Sequence, residues 1–417
     1  MILLYYFKLI LLFVVIEICL SKEDNAVYNL VKDYNLLQST ETDFRTFYSD
    51  GKEVEENFNE QLFRIIEDIY TASAGRSHGE DVSIGSYCSN RYLDAINNLT
   101  FTDTRQRKIA YDFLEFFQSY VSSEEGAFSW FEPSANTDFQ QCADVMMQKF
   151  PSTASSLPID DKIILNKEVS KIVWDNVDGN VIVKCSDGSS YHADQVIFTP
   201  SVGVLKEAHR ELFEPQLPTQ KQTAIEKIGI GAVMKIILLF KDRWWPTSFS
   251  GISFVWSGDD KNKTFPRYTK HGKTWIFDGT ALLPMKYNPN VLSFWFTGDT
   301  IPIIEKLDNA EVLEGVNFIL QKFLKSSYNL TTPISIIKTQ WYTNPHFRGT
   351  YSYQTVASRQ LNSNHVLGQP LHNRNGNVTL MFAGEATHTS YYATVHGAIQ
   401  TGYREAERLL KIIGPRN

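Results

Sequence analysis

Apolar residues recur every three or four positions through the first third of the chain, which is the spacing of amphipathic helices. Two stripes show this spacing: Phe58, Leu62, Phe63, Ile66, Ile69 and Tyr70, and Ile109, Phe113, Phe116, Phe117 and Tyr120. Residues 71–87 separate the stripes, are rich in Ser and Gly, and are predicted to form a loop. The pattern therefore predicts that residues 22–158 are mainly helical.

Beyond Pro158 the pattern changes to short runs rich in β-branched residues, which predict strands. The first runs occupy residues 163–165, 169–174, 181–183 and 196–198. Asp178-Gly179-Asn180 and Asp187-Gly188 lie between runs and are typical of hairpin turns. Residues 159–205 are thus predicted to form a β-meander. A second strand-rich zone follows at residues 231–240, 274–277 and 291–296.

The last part of the chain is predicted to contain one more strand and two long helices. Residues 308–325 are predicted to be helical, because Asp308 and Glu311 have capping-box spacing ahead of an apolar stripe. Residues 378–383 are predicted to form a buried strand, followed by a helix over 395–412. The apolar face of that helix consists of Ile399, Gly402, Tyr403, Ala406, Leu409, Leu410 and Ile413. The whole pattern indicates a mixed α/β and α+β fold with two interleaved units.

Composition narrows the classes of function. The 417 residues are 43% hydrophobic, which is enough for a large core in two or more domains. The net charge of -7 is modest and spread along the chain, so it argues against nucleic-acid binding and suits a cationic small substrate. Apart from Cys19, the cysteines are Cys88, Cys142 and Cys185. This odd number without metal-ligand spacing indicates neither a disulfide scaffold nor a metal site.

The N-terminus has the pattern of a secretory leader. Residues 9–16 are apolar without interruption, a run too short for a stable membrane span, which takes about 20 residues. Cys19 and Ser21 are small residues placed for cleavage after Ser21, so residues 1–21 are predicted to be a signal peptide. A membrane anchor or a buried N-terminal helix is the alternative. Glycosylation acceptors of the form Asn-x-Thr favour a secreted protein: Asn98, Asn262, Asn329 and Asn377.

Gly384 and Glu385 follow the strand predicted at 378–383 and are the first candidates for ligand binding. Gly384 lets the backbone approach a ligand closely, and Glu385 lies beyond the carboxyl end of the strand, where open α/β sheets bind ligands. The helix that starts near Thr394 and Val395 points free N–H groups and a positive dipole end toward the same place. A tight turn with a solvated carboxylate remains the alternative.

Lys235 is the only charged residue in the apolar run 230–240, so it is predicted to lie in a strand with buried neighbours. Burial lowers the pKa of a lysine, which suits a group that holds a water molecule. The alternative is an edge-strand lysine that discourages sheet-to-sheet aggregation.

Two further groups of residues stand out in the sequence. An aromatic patch is formed by Trp341, Tyr342, Phe347, Tyr351 and Tyr353, although aromatic residues at this density most often form core. Glu124 and Glu125 have the charge to attract a cationic substrate, but a solvated loop is the favoured interpretation for both.

The C-terminal segments match a known signature nearly position by position. They are Phe382-Ala-Gly-Glu-Ala-Thr-His388, Tyr391-Tyr392, Thr394-Val-His-Gly-Ala398, and Gly402 with Arg404-Glu405-Ala406. In these motifs the chain resembles the flavin-containing amine oxidases, in particular their polyamine and spermine oxidase branch. The resemblance implies an FAD/NAD(P)-binding, Rossmann-like domain interleaved with an α+β substrate domain. It also implies oxidation of spermine, spermidine or acetylated forms at a secondary amine by FAD and O2, which gives an aldehyde, a shorter amine and H2O2.

The same resemblance implies roles for residues around the cofactor. Glu385 is expected to contact the ribityl side of the flavin, and Thr394 and Val395 are expected to contact its pyrimidine end. Residues 166–172 resemble the family strand whose valine backbone, here that of Val169, meets the adenine of FAD.

Further roles are implied around the substrate. Residues 234–240, followed by two tryptophans, resemble the segment whose lysine holds a water near flavin N5, which implies that Lys235 is catalytic. The aromatic patch resembles the wall of the substrate cavity, with Tyr351 beside the flavin, and Tyr353 and Tyr392 are assigned to substrate binding. Monoamine oxidases carry a flavin-linking cysteine where this chain has Thr350, so the FAD is expected to be non-covalent.

The resemblance runs from about Asn25 to Lys411 and omits the first section of the family, a βαβ unit. That section carries a Gly-x-Gly-x-x-Gly turn, which does not occur in the sequence. The FAD-binding domain is therefore predicted to be incomplete. Residues 159–205 and 361–417 are assigned to it, and residues 22–158 and 206–360 are assigned to the substrate domain.

Three interpretations of function stay open. The leading one is a secreted polyamine oxidase, and its rival is a catalytically inactive, truncated homologue that is unable to hold FAD. A histone-demethylase-like enzyme is the third, and neither a basic patch nor a long inserted helical pair supports it.

Overall fold

The computed structural model describes residues 44–73, 81–135, 163–285 and 288–414. The α-helices are α1 (Glu56–Ser73), α2 (Ile84–Asn97), α3 (Thr104–Glu125), α4 (Val202–Leu212), α5 (Thr219–Lys227), α6 (Gly258–Lys261), α7 (Ile301–Ile304), α8 (Asn309–Leu324), α9 (Val356–Gln360), α10 (Ser363–Gly368) and α11 (Val395–Ile413). Short 3-10 helices occupy Pro266–Tyr268, Trp275–Asp278 and Glu385–Thr387.

The strands are β1 (Phe44–Tyr48), β2 (Lys52–Glu53), β3 (Val169–Val173), β4 (Val181–Cys185), β5 (Ser190–Ala193), β6 (Val196–Phe198), β7 (Phe213–Glu214), β8 (Gly229–Ile230), β9 (Val233–Leu239), β10 (Gly251–Val255), β11 (Thr269–Lys270), β12 (Lys273–Thr274), β13 (Gly279–Pro284), β14 (Val291–Thr297), β15 (Ser335–Lys338), β16 (Ser352–Tyr353), β17 (Leu371–His372) and β18 (Val378–Phe382). Helices and several sheets together make a mixed α/β fold, as the sequence pattern predicts.

The chain divides into two compact units, each built from separate stretches. Of the described residues, 163–228 and 357–414 belong to the first unit, and the rest of them up to residue 356 belong to the second. This division differs from the predicted boundary at residue 205, because α4 and α5 belong to the first unit. The predicted signal peptide lies outside the described residues.

A four-stranded sheet in the first unit has the strand order β5-β4-β3-β7. Strands β3, β4 and β5 are antiparallel neighbours, and Gly179 and Gly188 in the turns have φ angles of 82° and 85°. The predicted meander is confirmed over β3, β4 and β5, but its last predicted run, β6, is wrong as a meander strand because it pairs with β18 in a separate sheet. The strand predicted over 163–165 is wrong, since only Ile163 makes a bridge there and the next two residues are irregular.

A three-stranded sheet of the same unit has the order β17-β18-β6, with β18 parallel to β6. The helix predicted after β18 is confirmed as α11, but its apolar face is largely exposed. Tyr403 and Leu410 are 53% and 67% exposed, whereas Thr401 and Glu405 are buried. The polar face turns inward because it has bonding partners there. The Gly384 N–H donates to Thr401 Oγ1 at 2.9 Å, and Arg404 pairs with Glu405 at 2.6 Å.

The second unit is centred on a seven-stranded sheet of order β15-β9-β14-β13-β10-β1-β2. Strand β1 pairs in parallel with β10, although the sequence pattern predicts a mainly helical region there. Helices α1, α2 and α3 make up most of the remaining described part of that region. Helices α1 and α3 bury the two predicted stripes, with the rings of Phe63 and Phe113 packed edge to face at 5.5 Å. Within the segment predicted to be a loop, α1 continues to Ser73 and α2 starts at Ile84.

Two further predictions in the second unit have opposite outcomes. Helix α8 is confirmed, and the Asp308 carboxylate accepts the Glu311 N–H at 2.7 Å at its start. The strand predicted over 274–277 is wrong, because Trp275–Asp278 forms a 3-10 helix. The Trp275 ring is fully buried against Gly315 of α8, a tertiary contact that overrides local strand propensity.

Candidate active site

The carboxyl end of β18 meets the start of α11 in the first unit. Gly384, two residues beyond β18, has a φ of 132°, a backbone conformation open to glycine and strained for other residues. The next residue, Glu385, accepts the N–H of Ala393 at 2.6 Å, so its carboxylate ties the strand end to the residues just ahead of α11. The pair is therefore more than a turn with a solvated cap.

Thr394 caps the N-terminus of α11. Its hydroxyl donates to the Tyr391 carbonyl at 2.7 Å and accepts the Gly397 N–H at 3.1 Å. Val395, the first helical residue, is 37% exposed. The first turn of a helix leaves N–H groups without partners within the helix, and one side-chain cap satisfies only one of them. The rest favour an electron-rich group at this end of α11.

His396 is fully buried in the first turn of α11, and neither ring nitrogen has a hydrogen-bond partner among the described residues. Its ring lies 4.4 Å from that of Tyr391. Burial, with a smaller contribution from His388, lowers the pKa of His396 to about 4, so the imidazole is neutral at pH 7. A buried polar group without a partner is unusual, and this one lies at the same helix terminus.

The predicted residues of the first unit fit the ring end of a flavin. Glu385 supplies a carboxylate for hydroxyl groups, and the N-terminus at Thr394 and Val395 supplies a positive dipole end for the pyrimidine edge. The buried His396 leaves unused hydrogen-bonding capacity at the same terminus. Together these features match the donors and acceptors that a flavin ring and its ribityl chain require.

Two other predicted residues of this unit, Tyr392 and Val169, have different surroundings. Tyr392 is only 1% exposed, so its ring lies in the core of the unit. Val169 begins β3, whereas Thr379 of β18 donates to the carbonyl of Trp174, one residue beyond the other end of β3, at 2.9 Å. Their roles in substrate and adenine binding stay predictions.

Lys235 lies on β9 in the second unit, between β14 and β15, so the edge-strand interpretation is wrong. Its backbone N–H donates to Thr339 Oγ1 at 2.9 Å, and its Nζ lies 4.1 Å from the centre of the Trp295 ring. Burial lowers the pKa of Lys235 to about 8. The predicted strand, buried neighbours and lowered pKa are all present, although the catalytic role is untested.

The segment that carries Tyr351 and Tyr353 packs against the end of α3 and the start of β9. Tyr351 donates to the Ser123 carbonyl at 2.6 Å, and Tyr353 donates to Glu132 at 3.1 Å. Between them and β9, the Thr350 hydroxyl accepts the Val233 N–H at 3.2 Å. The second unit therefore brings both predicted tyrosines close to the strand that carries Lys235.

Comparison with known proteins identifies the family of the chain. The family described as flavin containing amine oxidoreductase matches residues 18–410. The chain belongs to this family.

Relatives of this amine oxidase family member include enzymes named for polyamines. The chain is 32% identical over 275 residues to the human peroxisomal N(1)-acetyl-spermine/spermidine oxidase, covering 63% of this chain and 53% of that protein. It is 29% identical over 415 residues to probable polyamine oxidase 5 of Arabidopsis thaliana, covering 87% and 75%. It is also 32% identical over 278 residues to histone demethylase-like protein A of Aspergillus fumigatus, covering 64% and 24%. The chain spans about half the length of the mammalian relatives that it matches.

Sequence reasoning missed Glu305, a buried carboxylate just after α7. One oxygen accepts the N–H groups of Trp341 and Tyr342 at 2.9 and 3.0 Å, and the other accepts that of Thr343 at 2.7 Å. Glu305 thereby fixes the loop that begins the aromatic patch. Its position as a lone acid after the apolar run 301–304 was the available signal.

The solvated loop that the sequence favours for Glu125 is wrong. Glu125 ends α3, is 3% exposed and accepts a hydrogen bond from Tyr70 at 2.9 Å. Burial raises the pKa of Glu125 to about 7.

In the described parts of the chain, no group of three or more His, Cys, Asp and Glu residues is arranged to hold a metal ion. Across the same residues, no helix is long and apolar enough to cross a membrane.

Proposed function

We propose that this protein is a polyamine oxidase that uses non-covalent FAD. The reaction oxidises spermine, spermidine or an acetylated form at a secondary amine, consumes O2 and water, and yields an aldehyde, a shorter amine and H2O2. One observation carries the proposal. In a member of the amine oxidase family, Glu385 ties the end of β18 to the capped N-terminus of α11, where the donors and acceptors suit a flavin.

The cofactor, when bound, supplies the acceptor for a hydride from the carbon beside the amine. Glu385 holds the ribityl side, and the N-terminus of α11 at Thr394 and Val395 holds the pyrimidine edge. Thr350 supports non-covalent binding, because a hydroxyl replaces the thiol that a covalent link requires and already accepts the Val233 N–H. Val169 is proposed to meet the adenine.

The substrate side of the proposal rests on charge and on the second unit. A chain with a net charge of -7 attracts a polycation, and the named functions of the human and Arabidopsis relatives agree with such a substrate. Tyr351 and Tyr353 of this unit are proposed to line the substrate cavity, and substrate binding by Tyr392 stays a separate prediction. Lys235 Nζ, neutral above about pH 8, then holds a water molecule by accepting its proton in a hydrogen bond.

We further propose that the first unit is part of an FAD-binding, Rossmann-like domain. Support comes from β18 and β6, which are parallel, and from the exposed apolar side chains of α11, such as Tyr403 and Leu410. An amphipathic helix normally buries its apolar stripe against further secondary structure of its own domain. The rival interpretation is an inactive, truncated homologue that is unable to hold FAD.

Secretion is proposed as well, from the predicted signal peptide and the glycosylation acceptors. The four acceptor side chains are all exposed: Asn98, Asn262, Asn329 and Asn377. Expression of the full chain in insect cells, followed by glycosidase treatment of the medium, tests this proposal. A protein that stays inside the cells and does not change in mass on deglycosylation contradicts it.

The decisive experiment measures flavin and turnover on the purified full chain. We expect one FAD per chain by visible absorbance, release of the FAD on acid precipitation, and H2O2 production with spermine, spermidine or their acetylated forms. If the chain carries no flavin after incubation with FAD, the result supports the interpretation as an inactive homologue. Flavin-loaded chain that yields no H2O2 from any polyamine contradicts the substrate class.

A matched pair of variants tests the flavin site itself. Glu385→Ala removes the carboxylate that bonds Ala393, and we expect FAD affinity to fall at least about tenfold, the usual effect of losing a charged hydrogen-bond partner. Glu211→Ala removes an exposed carboxylate of α4 and is expected to leave affinity unchanged. Equal affinities in the two variants contradict the proposed site.

A further inference from the structure

Lys235 and Trp295 are direct cross-strand partners in the antiparallel pair β9 and β14. Directly opposed residues of such a pair project from the same face of the sheet, which brings their side chains together. The Lys235 Nζ lies 4.1 Å from the centre of the Trp295 ring, well within the range of a cation–π interaction. The neighbours of Trp295, Phe294 and Phe296, are fully buried on the other face.

We propose that Trp295 is a positioning residue for Lys235, whose ammonium it holds over the indole face and whose protonated form it favours. The consequence for catalysis rests on the proposed function, because it requires that Lys235 acts on the substrate side of a flavin. The interaction between the two side chains does not depend on that function and can be measured without it.

Two opposing effects act on the Lys235 ammonium. Removal from water favours the neutral amine, and this burial is the cause of the lowered pKa of Lys235. An aromatic face attracts the cation through its quadrupole, and tryptophan does so most strongly. The indole therefore limits the decrease in the pKa of Lys235, which burial alone would make larger. It also restricts the Lys235 side chain, which has several rotatable bonds.

Other charged groups near β9 are directed elsewhere. Lys338 of β15 lies opposite Ile236, which places it on the other face of the sheet, and its Nζ donates to the Leu307 carbonyl. The Glu305 carboxylate accepts the N–H groups of 341–343. At the end of α3, which packs against β14, Glu125 is bonded to Tyr70, and neither it nor Glu124 contributes to the pKa of Lys235. The indole is thus the specific partner to test.

The test titrates Lys235 by NMR in protein that carries 13C-labelled lysine, and Lys235→Met assigns the signal. We expect Trp295→Leu, which keeps apolar bulk without a π face, to lower the pKa of Lys235 by roughly 0.5 to 1 unit. Trp295→Phe should lower it by less. Trp275→Phe removes another buried indole of the same unit and is expected to leave it unchanged.

An unchanged or increased pKa in both Trp295 variants overturns the proposal. If Trp295→Leu does not fold, comparison of the Lys235 pKa in Trp295→Phe with that in Trp275→Phe still tests the proposal. In flavin-loaded protein, the pH profile of kcat is expected to move to lower pH in Trp295→Leu with little change in KM. A shifted NMR titration in a protein without amine oxidation contradicts the proposed function and leaves this inference standing.

Discussion

The Tyr70 hydroxyl donates a hydrogen bond of 2.9 Å to Glu125, a carboxylate at the C-terminal end of α3 that is almost completely removed from solvent. The bond favours the ionised carboxylate, but loss of hydration has the larger effect and raises the pKa of Glu125 to about 7. The second unit therefore contains an acid that is about half protonated near neutral pH, next to the residues that hold Tyr351.

Glu125 makes the stability of the protein depend on pH. Its pKa is higher in the folded state than the ordinary value of 4.5, so its contribution to stability is fully present below about pH 4.5 and is lost as pH rises through about 7. Glu125→Gln removes this loss. We expect the variant to be more stable than the wild type at pH 8, by up to about 3 kcal/mol, and the difference to shrink toward pH 5.

Urea unfolding of Glu125→Gln and wild type at several pH values measures this difference. Glu124→Gln changes the neighbouring, half-buried carboxylate and serves as the control for charge at the end of α3. A stability difference that is independent of pH contradicts the raised pKa.

Elements coded by local sequence were predicted well. Asp308 caps α8 through a hydrogen bond three residues along the chain, and the glycines at 179 and 188 form the turns of the meander through their own φ angles. Each signal lies within a few residues of the structure that it specifies, so it can be read without the fold.

Features set by distant partners were not predictable. Strand β1 forms by pairing with β10, about two hundred residues away. Trp275 lies in a 3-10 helix instead of a strand because its ring packs against α8. The inward face of α11 is polar because Thr401 bonds Gly384. Glu125 became buried through Tyr70, and no periodicity in a single segment carries that information.

The candidate site also contains both kinds of feature, those coded by local sequence and those set by distant partners. Gly384, Glu385 and Thr394 form one short stretch whose strand–turn–helix pattern is local, and the predicted strand end and helix start are where the sequence indicates them. Glu305 acts on a loop more than thirty residues away, through backbone N–H groups that give no sequence signal.

Glu305→Ala is expected to loosen the loop at 341–343. Three backbone N–H groups lose a charged acceptor, which should cost roughly 2–5 kcal/mol of unfolding free energy and increase amide exchange at Trp341, Tyr342 and Thr343. Hydrogen–deuterium exchange with mass spectrometry measures the local effect. Glu314→Ala removes a surface ion pair with Arg267 and should cost under about 1 kcal/mol without local exchange. Equal exchange in both variants would show that Glu305 does not fix the loop.

Lys221 has a comparable role in the first unit. Its buried Nζ donates to three backbone carbonyls, those of Val366, Leu367 and Gln369, at 2.7 to 2.9 Å, and thereby joins α5 to the end of α10. Lys221→Met keeps the apolar stem and leaves the carbonyls without that donor, so we expect a loss of about 2–4 kcal/mol. Thermal and urea unfolding measure it, with the exposed Lys184→Met as control. A loss no greater than that of the control contradicts the role of the ammonium.

Gly126 separates a steric effect from backbone strain beside Tyr351. Its φ is 66°, and a Cβ there would lie 2.3 Å from Tyr351 Cε2, whereas Gly188 has a φ of 85° with nothing within 4 Å. Gly188→Ala is expected to cost about 1 kcal/mol, the strain of a left-handed backbone alone. Gly126→Ala should cost about 1–3 kcal/mol more, because the ring has to move and its hydrogen bond to Ser123 is lost.

The two glycine variants also separate stability from function. If Tyr351 lines the substrate cavity, Gly126→Ala is expected to raise KM for the polyamine in flavin-loaded protein, while Gly188→Ala leaves KM unchanged. Urea unfolding gives the stability of each variant, and steady-state H2O2 release gives the kinetics. Equal losses of stability would mean that the Tyr351 ring moves aside without lowering the unfolding free energy. Equal KM values with unequal stability would mean that Tyr351 does not line the substrate cavity and serves only as core packing between α3 and β9.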